Sequence, residues 1–253
     1  MDHPEVAIEL KDVWKTFARA SGPTLAGMDL AVRRGSIHVL LGHSGTGKSV
    51  TLKHMLGLIE PDRGEIRIAG EPLDSADEVR LREIRRHFGM LFQSSALFDS
   101  LSVFDNVAFP LREHRPEWGE ERIAARVEEL LGLVELPDIG EEMPSDLSGG
   151  MRKRVGLARA IALEPDILLF DEPTTGLDPV TSHVIDDLIV KTTRDLGATS
   201  FIISHDIHAA LRIADVISFL WQGKILESGS PDEFRRSSSD PIRRILRSAG
   251  VNE

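Results

Sequence analysis

The segment Gly42-His43-Ser44-Gly45-Thr46-Gly47-Lys48-Ser49 limits what this chain can be more than any other stretch of it. The run Ser36-Ile37-His38-Val39-Leu40-Leu41 precedes it and reads as a strand. Ser49–Glu60 follows, with apolar residues at Leu52, Met55, Leu56 and Ile59 on a helical period. A strand, a glycine-rich turn closing on Gly-Lys-Ser, and a helix together form a cradle for phosphate. Glycines let the main chain wrap closely and turn several N–H groups inward, and the helix adds the positive end of its dipole. In such a cradle Lys48 reaches the β- and γ-phosphates and the Ser49 hydroxyl holds Mg²⁺. Random placement of the chain's glycines, lysines and hydroxyl residues yields on the order of 0.01 matches to the pattern before any strand or helix is required. Nucleotide binding is the expectation.

Composition narrows what surrounds the cradle. The 253 residues, 41% of them hydrophobic, suffice for a substantial core and argue against wholesale disorder. The absence of cysteine excludes a disulfide framework, a cysteine nucleophile and a thiolate zinc site. A formal net charge of −11 speaks against a nucleic-acid partner held by a broad basic surface. The longest comparable apolar stretch, Val216–Trp221, falls far short of the roughly 18–20 residues a membrane-spanning helix needs. The N-terminus, Met1-Asp2-His3-Pro4-Glu5, lacks the apolar core of a secretory signal. The expectation is an intracellular, soluble polypeptide whose work at a membrane comes through a partner.

Short apolar runs alternating with helical periods point to an α/β architecture with a parallel sheet. Beyond the first strand and helix, Ile167-Leu168-Leu169-Phe170 pairs with a helix through Thr181–Leu196, where Val184, Ile185, Leu188 and Ile189 share a face and Asp186, Asp187 and Lys191 lie elsewhere. Thr199–Ser204 reads as a strand before a helix through Ile207–Ala214, and Val216–Glu227 as a hairpin turning at Gln222-Gly223. Val6–Leu10 and Met28–Val32 alternate as half-buried antiparallel strands do. Residues 95–160 read as mainly helical, including Glu120–Leu131 and Met151–Leu163. The tail carries the runs Asp232–Arg236 and Pro241–Arg247, separated by Ser237–Ser239. With its flanking arginines it reads either as a docking tail or as a solvated terminal face.

A second set of charged residues follows the run at Ile167. Asp171 and Glu172 close an apolar strand, and ligands of doubly wound sheets sit at the carboxyl ends of strands. Asp171 suits the Mg²⁺ shell, and Glu172 can orient or deprotonate the attacking water.

With these residues in view the chain resembles the nucleotide-binding subunit of ATP-binding cassette (ABC) transporters. The identifying element is Leu147-Ser148-Gly149-Gly150-Met151, similar to the family's L-S-G-G-Q signature. On its own terms, Ser148 with two glycines at a helix start is a second anion-binding N-terminus. The resemblance implies that this element caps the γ-phosphate of ATP held by the other subunit of a head-to-tail homodimer. It implies a P-loop NTPase (RecA-like) core, about 1–94 and 161–230, with an N-terminal antiparallel β subdomain. A helical subdomain is inserted at about 95–160, and a C-terminal helical tail covers 231–253. Other family positions carry over singly. Gln93 matches the glutamine that touches Mg²⁺ or water and senses the membrane partner, and His205 the switch histidine at the γ-phosphate. Asp178, in Gly176-Leu177-Asp178, matches the loop coupling the two sites. Phe17 matches the aromatic stacking on adenine, usually a tyrosine, a residue this chain lacks; Trp14 is nearby. Val50, just after the cradle, belongs to the same nucleotide-binding set.

Met151, where the family commonly has glutamine, and the stretch Met90–Leu111 are similar to the Mla/MCE-type lipid-trafficking ATPases. That resemblance implies phospholipid movement between bacterial membranes. It also implies attachment to the cytoplasmic face of the inner membrane through an integral-membrane permease, with an MCE-domain protein and a small STAS-domain protein as further partners. Phe92, Leu97, Phe98, Phe104 and Phe109 either line a docking groove or pack the helical subdomain. Other functions in view are the ATPase of an amino-acid or other small-solute importer, a non-transport ABC protein, and a scaffold that no longer hydrolyses ATP. The intact Lys48, Asp171, Glu172 and His205 speak against the last.

Overall fold

The computed structural model describes residues 5–18, 22–73 and 77–251. Two units divide the chain: Met1–His87 with Thr199–Glu253, and Phe88–Ala198 between them. Met1–Pro4, on which the reading of the N-terminus partly rests, lie outside the described residues.

The first unit begins with β1 (Val6–Lys15) and β2 (Leu25–Arg33), antiparallel as the alternation predicts, with Leu10 opposite Leu30 and Ile8 opposite Val32. Next come β3 (Ile37–Leu41), buried at every residue, and α1 (Lys48–Met55). The helix is shorter than the apolar period through Ile59 predicts. Gly57 turns left-handed at φ 61°, its N–H donates to His54 O at 3.0 Å, and Leu58 N–H donates to Lys53 O at 2.9 Å. Those paired bonds close the helix in a Schellman turn that needs glycine after the cap. Strand β4 (Arg63–Ile68) pairs antiparallel with β1, followed by β5 (Glu71–Pro72) and α2 (Glu78–Arg85), whose N-cap is Asp77.

The second unit opens with β6 (Phe88–Leu91) and continues through α3 (Val103–His114), α4 (Glu120–Leu133), α5 (Gly149–Ala160), β7 (Ile167–Asp171) and α6 (Pro179–Leu196). Strands β6 and β7 run parallel, with Leu91 level with Phe170. Helices α3, α4 and α5 bury Val107, Leu111, Val127, Leu130, Val155 and Leu157. A polar side chain organises the loop before α3: buried Asn106 accepts from Phe98 N–H at 2.8 Å and donates to the carbonyls of Phe98, Leu101 and Ser102 at 3.0–3.1 Å. In α6, Ile185, Leu188 and Ile189 are buried as predicted, but Asp186 is buried too, at 3% exposure. The inward face of α6 is therefore wider than the apolar stripe alone indicates.

The chain then returns to the first unit with β8 (Thr199–Ser204), α7 (Ile207–Ile213), β9 (Val216–Trp221), β10 (Lys224–Gly229), α8 (Pro231–Arg235) and α9 (Asp240–Ser248). Here β3 lies between β8 and β9, parallel to both, and β10 pairs antiparallel with β9. The hairpin turns at Gln222-Gly223 as expected, with φ of 49° and 76°. Two successive positive values suit the twist of a two-residue hairpin. The tail is solvated on one side only. Phe234 is buried with its ring 6.4 Å from that of Phe219, Ile242 and Leu246 are buried, and Ser237 Oγ donates to Glu227 Oε2 at 2.6 Å. Arg244 and Arg247 are exposed on α9, whose apolar stripe of Ile242, Ile245 and Leu246 is inside.

Candidate nucleotide site

In the first unit the Gly42–Gly47 loop joins β3 to α1, as its glycine pattern predicts. Gly45 and Gly47 hold φ of 80° and 109°, values that side chains other than glycine rarely adopt. Gly47 is also the N-cap of α1 and has no side chain to cap it, so the first N–H groups of the helix face the loop. A Cβ there would lie 3.1 Å from Thr24 O and 3.0 Å from Leu25 Cδ2. The Lys48 ammonium folds into the curve of its own loop, donating to Gly42 O at 2.7 Å and His43 O at 3.3 Å. Thr46 Oγ donates to the same His43 carbonyl at 2.8 Å. Gly42, Gly47 and Lys48 are buried, while His43, Ser44, Gly45 and Ser49 are exposed and Thr46 and Val50 half-buried. The imidazole of His43 packs edge-on to Trp221 at 5.9 Å. The result is a glycine-lined curl with one cation inside and a helix start behind it, which suits phosphate.

The strand register brings a second predicted residue to this edge. Leu41, just before Gly42, lies level with Ser204 of the adjacent parallel strand β8, and His205 follows Ser204. His205 is exposed, and Asp206 beside it caps α7 by accepting from Ala209 N–H at 3.0 Å. Gly42 and His205, 163 positions apart, thus emerge from the carboxyl ends of neighbouring strands. Phe17, past the end of β1, is 41% exposed. Trp14 is occupied in the sheet: its indole N–H donates to Asp12 Oδ1 at 2.7 Å, and its ring lies 3.2 Å from where a Cβ on Gly27 would stand. Phe17 is therefore the aromatic with a free face.

The second unit gathers another group. Because Leu91 is level with Phe170, Gln93 and the pair Asp171 and Glu172 leave the same edge of β6 and β7. Gln93 is exposed, and both carboxylates are half-buried. Glu172 sits at φ 50° and accepts from Thr175 Oγ at 3.1 Å, which fixes its carboxylate just past the strand. Ser148 is the N-cap of α5, its hydroxyl accepting from Met151 N–H at 3.2 Å. The Met151 side chain takes no part in that cap. Asp178 caps α6 in the same way, accepting from Val180 and Thr181 N–H at 3.0 Å, and hydrogen bonds from Thr181 hold its carboxyl below the usual range. The glycines after Ser148 have packing reasons as well: a Cβ on Gly150 would stand 2.5 Å from Thr181 Cγ2.

One residue of this region escaped the sequence reading. Lys153 of α5 is 4% exposed, and its ammonium donates to the main-chain carbonyl of Gln93. A lysine inside an otherwise apolar helix face was the only available signal, and its partner lies 60 residues away.

Residues 25–175 match the family model described as ABC transporter. The chain belongs to that family and is an ABC ATPase with a P-loop α/β fold, and ATP is the nucleotide it binds. It is 42% identical, over 94% of its length, to the probable ribonucleotide transport ATP-binding protein mkl of Mycobacterium leprae, 68% of which it covers. It is 41% identical, again over 94% of its length, to the intermembrane phospholipid transport system ATP-binding protein MlaF of Escherichia coli K12, 88% of which it covers. Among solved structures it is similar to the ATP-binding cassette MJ0796, seen as a dimer in a post-hydrolysis state with ADP and Pi. There the TM-score is 0.80 with 32% identity, covering 88% of this chain and 98% of that one. Among the described residues, no helix is long and apolar enough to cross a membrane.

Proposed function

We propose that this chain powers phospholipid trafficking between bacterial membranes, as the ATP-hydrolysing subunit of a transporter whose passage is a separate integral-membrane permease. The observation that carries the hydrolytic part is the emergence of the Gly42–Ser49 cradle and His205 from adjacent parallel strands. The lipid part is supported by the phospholipid-transport relatives, whose length this chain spans almost entirely. A small-solute importer is the second reading, favoured by the mycobacterial relatives named for ribonucleotide transport.

In the proposed site the amides of residues 42–49, with Val50 behind them, and the Lys48 ammonium hold the β- and γ-phosphates. Phe17 stacks on adenine, and His205 meets the γ-phosphate. Ser49, Gln93 and Asp171 offer a hydroxyl, an amide and a carboxylate, all hard oxygen donors that fit Mg²⁺. Among the described residues there is no cluster of three or more His, Cys, Asp or Glu side chains able to hold a metal alone. That fits an ion shared with nucleotide phosphates, which is how Mg²⁺ is usually held. When bound, Mg²⁺ neutralises charge developing on the phosphate oxygens. Glu172, pinned by Thr175, orients the attacking water and accepts its proton. Ser148, Gly149 and Gly150 at the start of α5 cap the γ-phosphate on a second copy of the chain, and Asp178 couples the two sites. The working form is a homodimer on the cytoplasmic face of the inner membrane. The exposed ring pair Phe98 and Phe109, 5.0 Å apart, and the exposed Phe92 meet the permease, and an MCE-domain and a STAS-domain protein complete the assembly.

Glu172→Gln tests the chemistry. ATP hydrolysis should fall by about 10²–10³-fold with nucleotide binding retained, and unchanged turnover would remove Glu172 from its role. Purification through a tag on this chain tests the cargo: recovery with an MCE-domain protein and phospholipid is expected. Recovery with a solute permease and no MCE-domain protein would overturn the lipid reading.

A further inference from the structure

One face of α5 runs along residues 89–95. A Cβ on Gly89 would stand 2.2 Å from Ala160 O, and one on Gly156 would stand 2.7 Å from Leu91 Cδ1 and 3.4 Å from Ser95 Cβ. The helix and the strand with its following loop are therefore in close contact, and two cations of that helix seize the loop's main chain. Lys153 donates to Gln93 O, and Arg159 donates to Ser95 O at 2.9 Å. At the second of these contacts and just after it the loop turns left-handed, Ser95 and Ala96 holding φ of 62° and 47°. Side chains seldom adopt such values, and a loop holds them only where its surroundings impose them.

The two cations differ in what else they meet. Burial alone pushes Arg159 down, whereas the charges of both Asp171 and Glu172 act on Lys153, opposing the downward push of burial. A buried ammonium in hydrogen-bond contact with a main-chain carbonyl is a charge-assisted junction, stronger and more directional than a neutral one. It ties Gln93, which leaves the same strand edge as Asp171 and Glu172, to a helix that starts at Ser148.

We propose that Lys153 is a positioning residue for hydrolysis: its ammonium fixes the main chain of Gln93 against α5, beside the strand edge from which Asp171 and Glu172 emerge. The proposal rests on the reading of these three as the hydrolytic half of the site. Nothing in it requires Lys153 to touch nucleotide, so its loss should leave binding intact and slow turnover. A misplacement of about 1 Å at a reacting group can cost on the order of 10²-fold in rate.

The test compares Lys153→Met, Lys153→Arg and Glu172→Gln with the parent in the full chain. It measures kcat and KM for ATP with Mg²⁺, equilibrium binding of a fluorescent ATP analogue, and thermal unfolding. Lys153→Met should lower kcat by about 10–100-fold, leave KM and analogue binding within about twofold, and leave the unfolding temperature level or raised. Lys153→Arg, which keeps the charge and a donor, should recover most of kcat. A Lys153→Met kcat within twofold of the parent overturns the proposal. So does a parallel loss of kcat and unfolding temperature that arginine does not repair, because that marks a structural role. If Glu172→Gln is inactive while Lys153→Met is unimpaired, only the role of Lys153 fails. If Glu172→Gln turns over normally, the reading of the site fails beneath it. Lys153→Gln, shorter and uncharged, supplies the same comparison should the methionine variant not fold.

Discussion

In the Gly42–Ser49 loop a cation and its support lie within six residues, since Lys48 donates to the carbonyls of Gly42 and His43. At the ends of β6 and β7 the cation is Lys153, and its support, the Gln93 carbonyl, lies 60 residues away. The first arrangement is written in local backbone conformation: two left-handed glycines, a helix start and one side chain. The second is assembled, because a helix must dock on a strand before the lysine has anything to hold. A local device can be copied between proteins as a motif, whereas an assembled one is sensitive to every contact that seats the helix.

The comparison can be broken most directly at Lys48. Lys48→Ala should reduce ATP hydrolysis by about 10²–10³-fold while thermal unfolding stays close to that of the parent, because the loop around it is set by its glycines. A fall in unfolding temperature of more than a few degrees would show that the cradle, too, depends on the assembled core.

His38 sharpens the point, because the strand that carries the cradle has a distant support of its own. Its Nε2 lies 2.8 Å from Ser218 Oγ, its Nδ1 has no hydrogen-bond partner, and burial, with the Arg33 charge, lowers its pKa to about 4. The folded state thus refuses a proton that the unfolded state accepts between about pH 4 and 6.5. Stability from this group is complete above pH 6.5 and falls as the pH drops toward 4, by up to about 3 kcal/mol. Urea unfolding between pH 4.5 and 7.5 should show that slope, and His38→Gln should flatten it. An equal slope in the variant would remove His38 as its source.

Smaller effects separate the two roles of the Ser148 region. A Cβ on Gly150 meets Thr181, whose hydroxyl is held by Asp178 Oδ2 and cannot easily turn away. Gly150→Ala should therefore cost about 1–3 kcal/mol, read by denaturant unfolding. Ser148→Ala removes only a local cap and should cost about 1 kcal/mol. The reverse order would mean that the cap, and not the docking of α5 near α6, seats this helix.

The legible parts of the chain are those whose cause is short-ranged. The cradle, the hairpin at Gln222-Gly223 and the antiparallel start follow from residue type and period. The pair Asp171 and Glu172 stands out because an apolar strand ends on it, whereas Gln93 and His205 carry over only through the resemblance to the family. Helix α1 ends before its apolar period does because Gly57 closes it with a Schellman turn, a matter of one φ angle rather than of apolar period. The composition of the tail admits both a docking segment and a solvated face. Its arginines dominate the composition, while burial of Phe234 and Ile242 depends on β9 and on neighbours far along the chain.

What the amino-acid sequence determined alone is the kind of ligand and the family, because phosphate is bound by backbone geometry that a few glycines and one lysine specify at fixed spacing. Three things waited for the tertiary structure. Trp14 is taken up by the sheet and Phe17 left open, Gly150 is demanded by Thr181, and Lys153 lies buried at the carbonyl of Gln93. Each depends on a contact between segments whose separation carries no periodic trace, and only the packed chain brings those segments together.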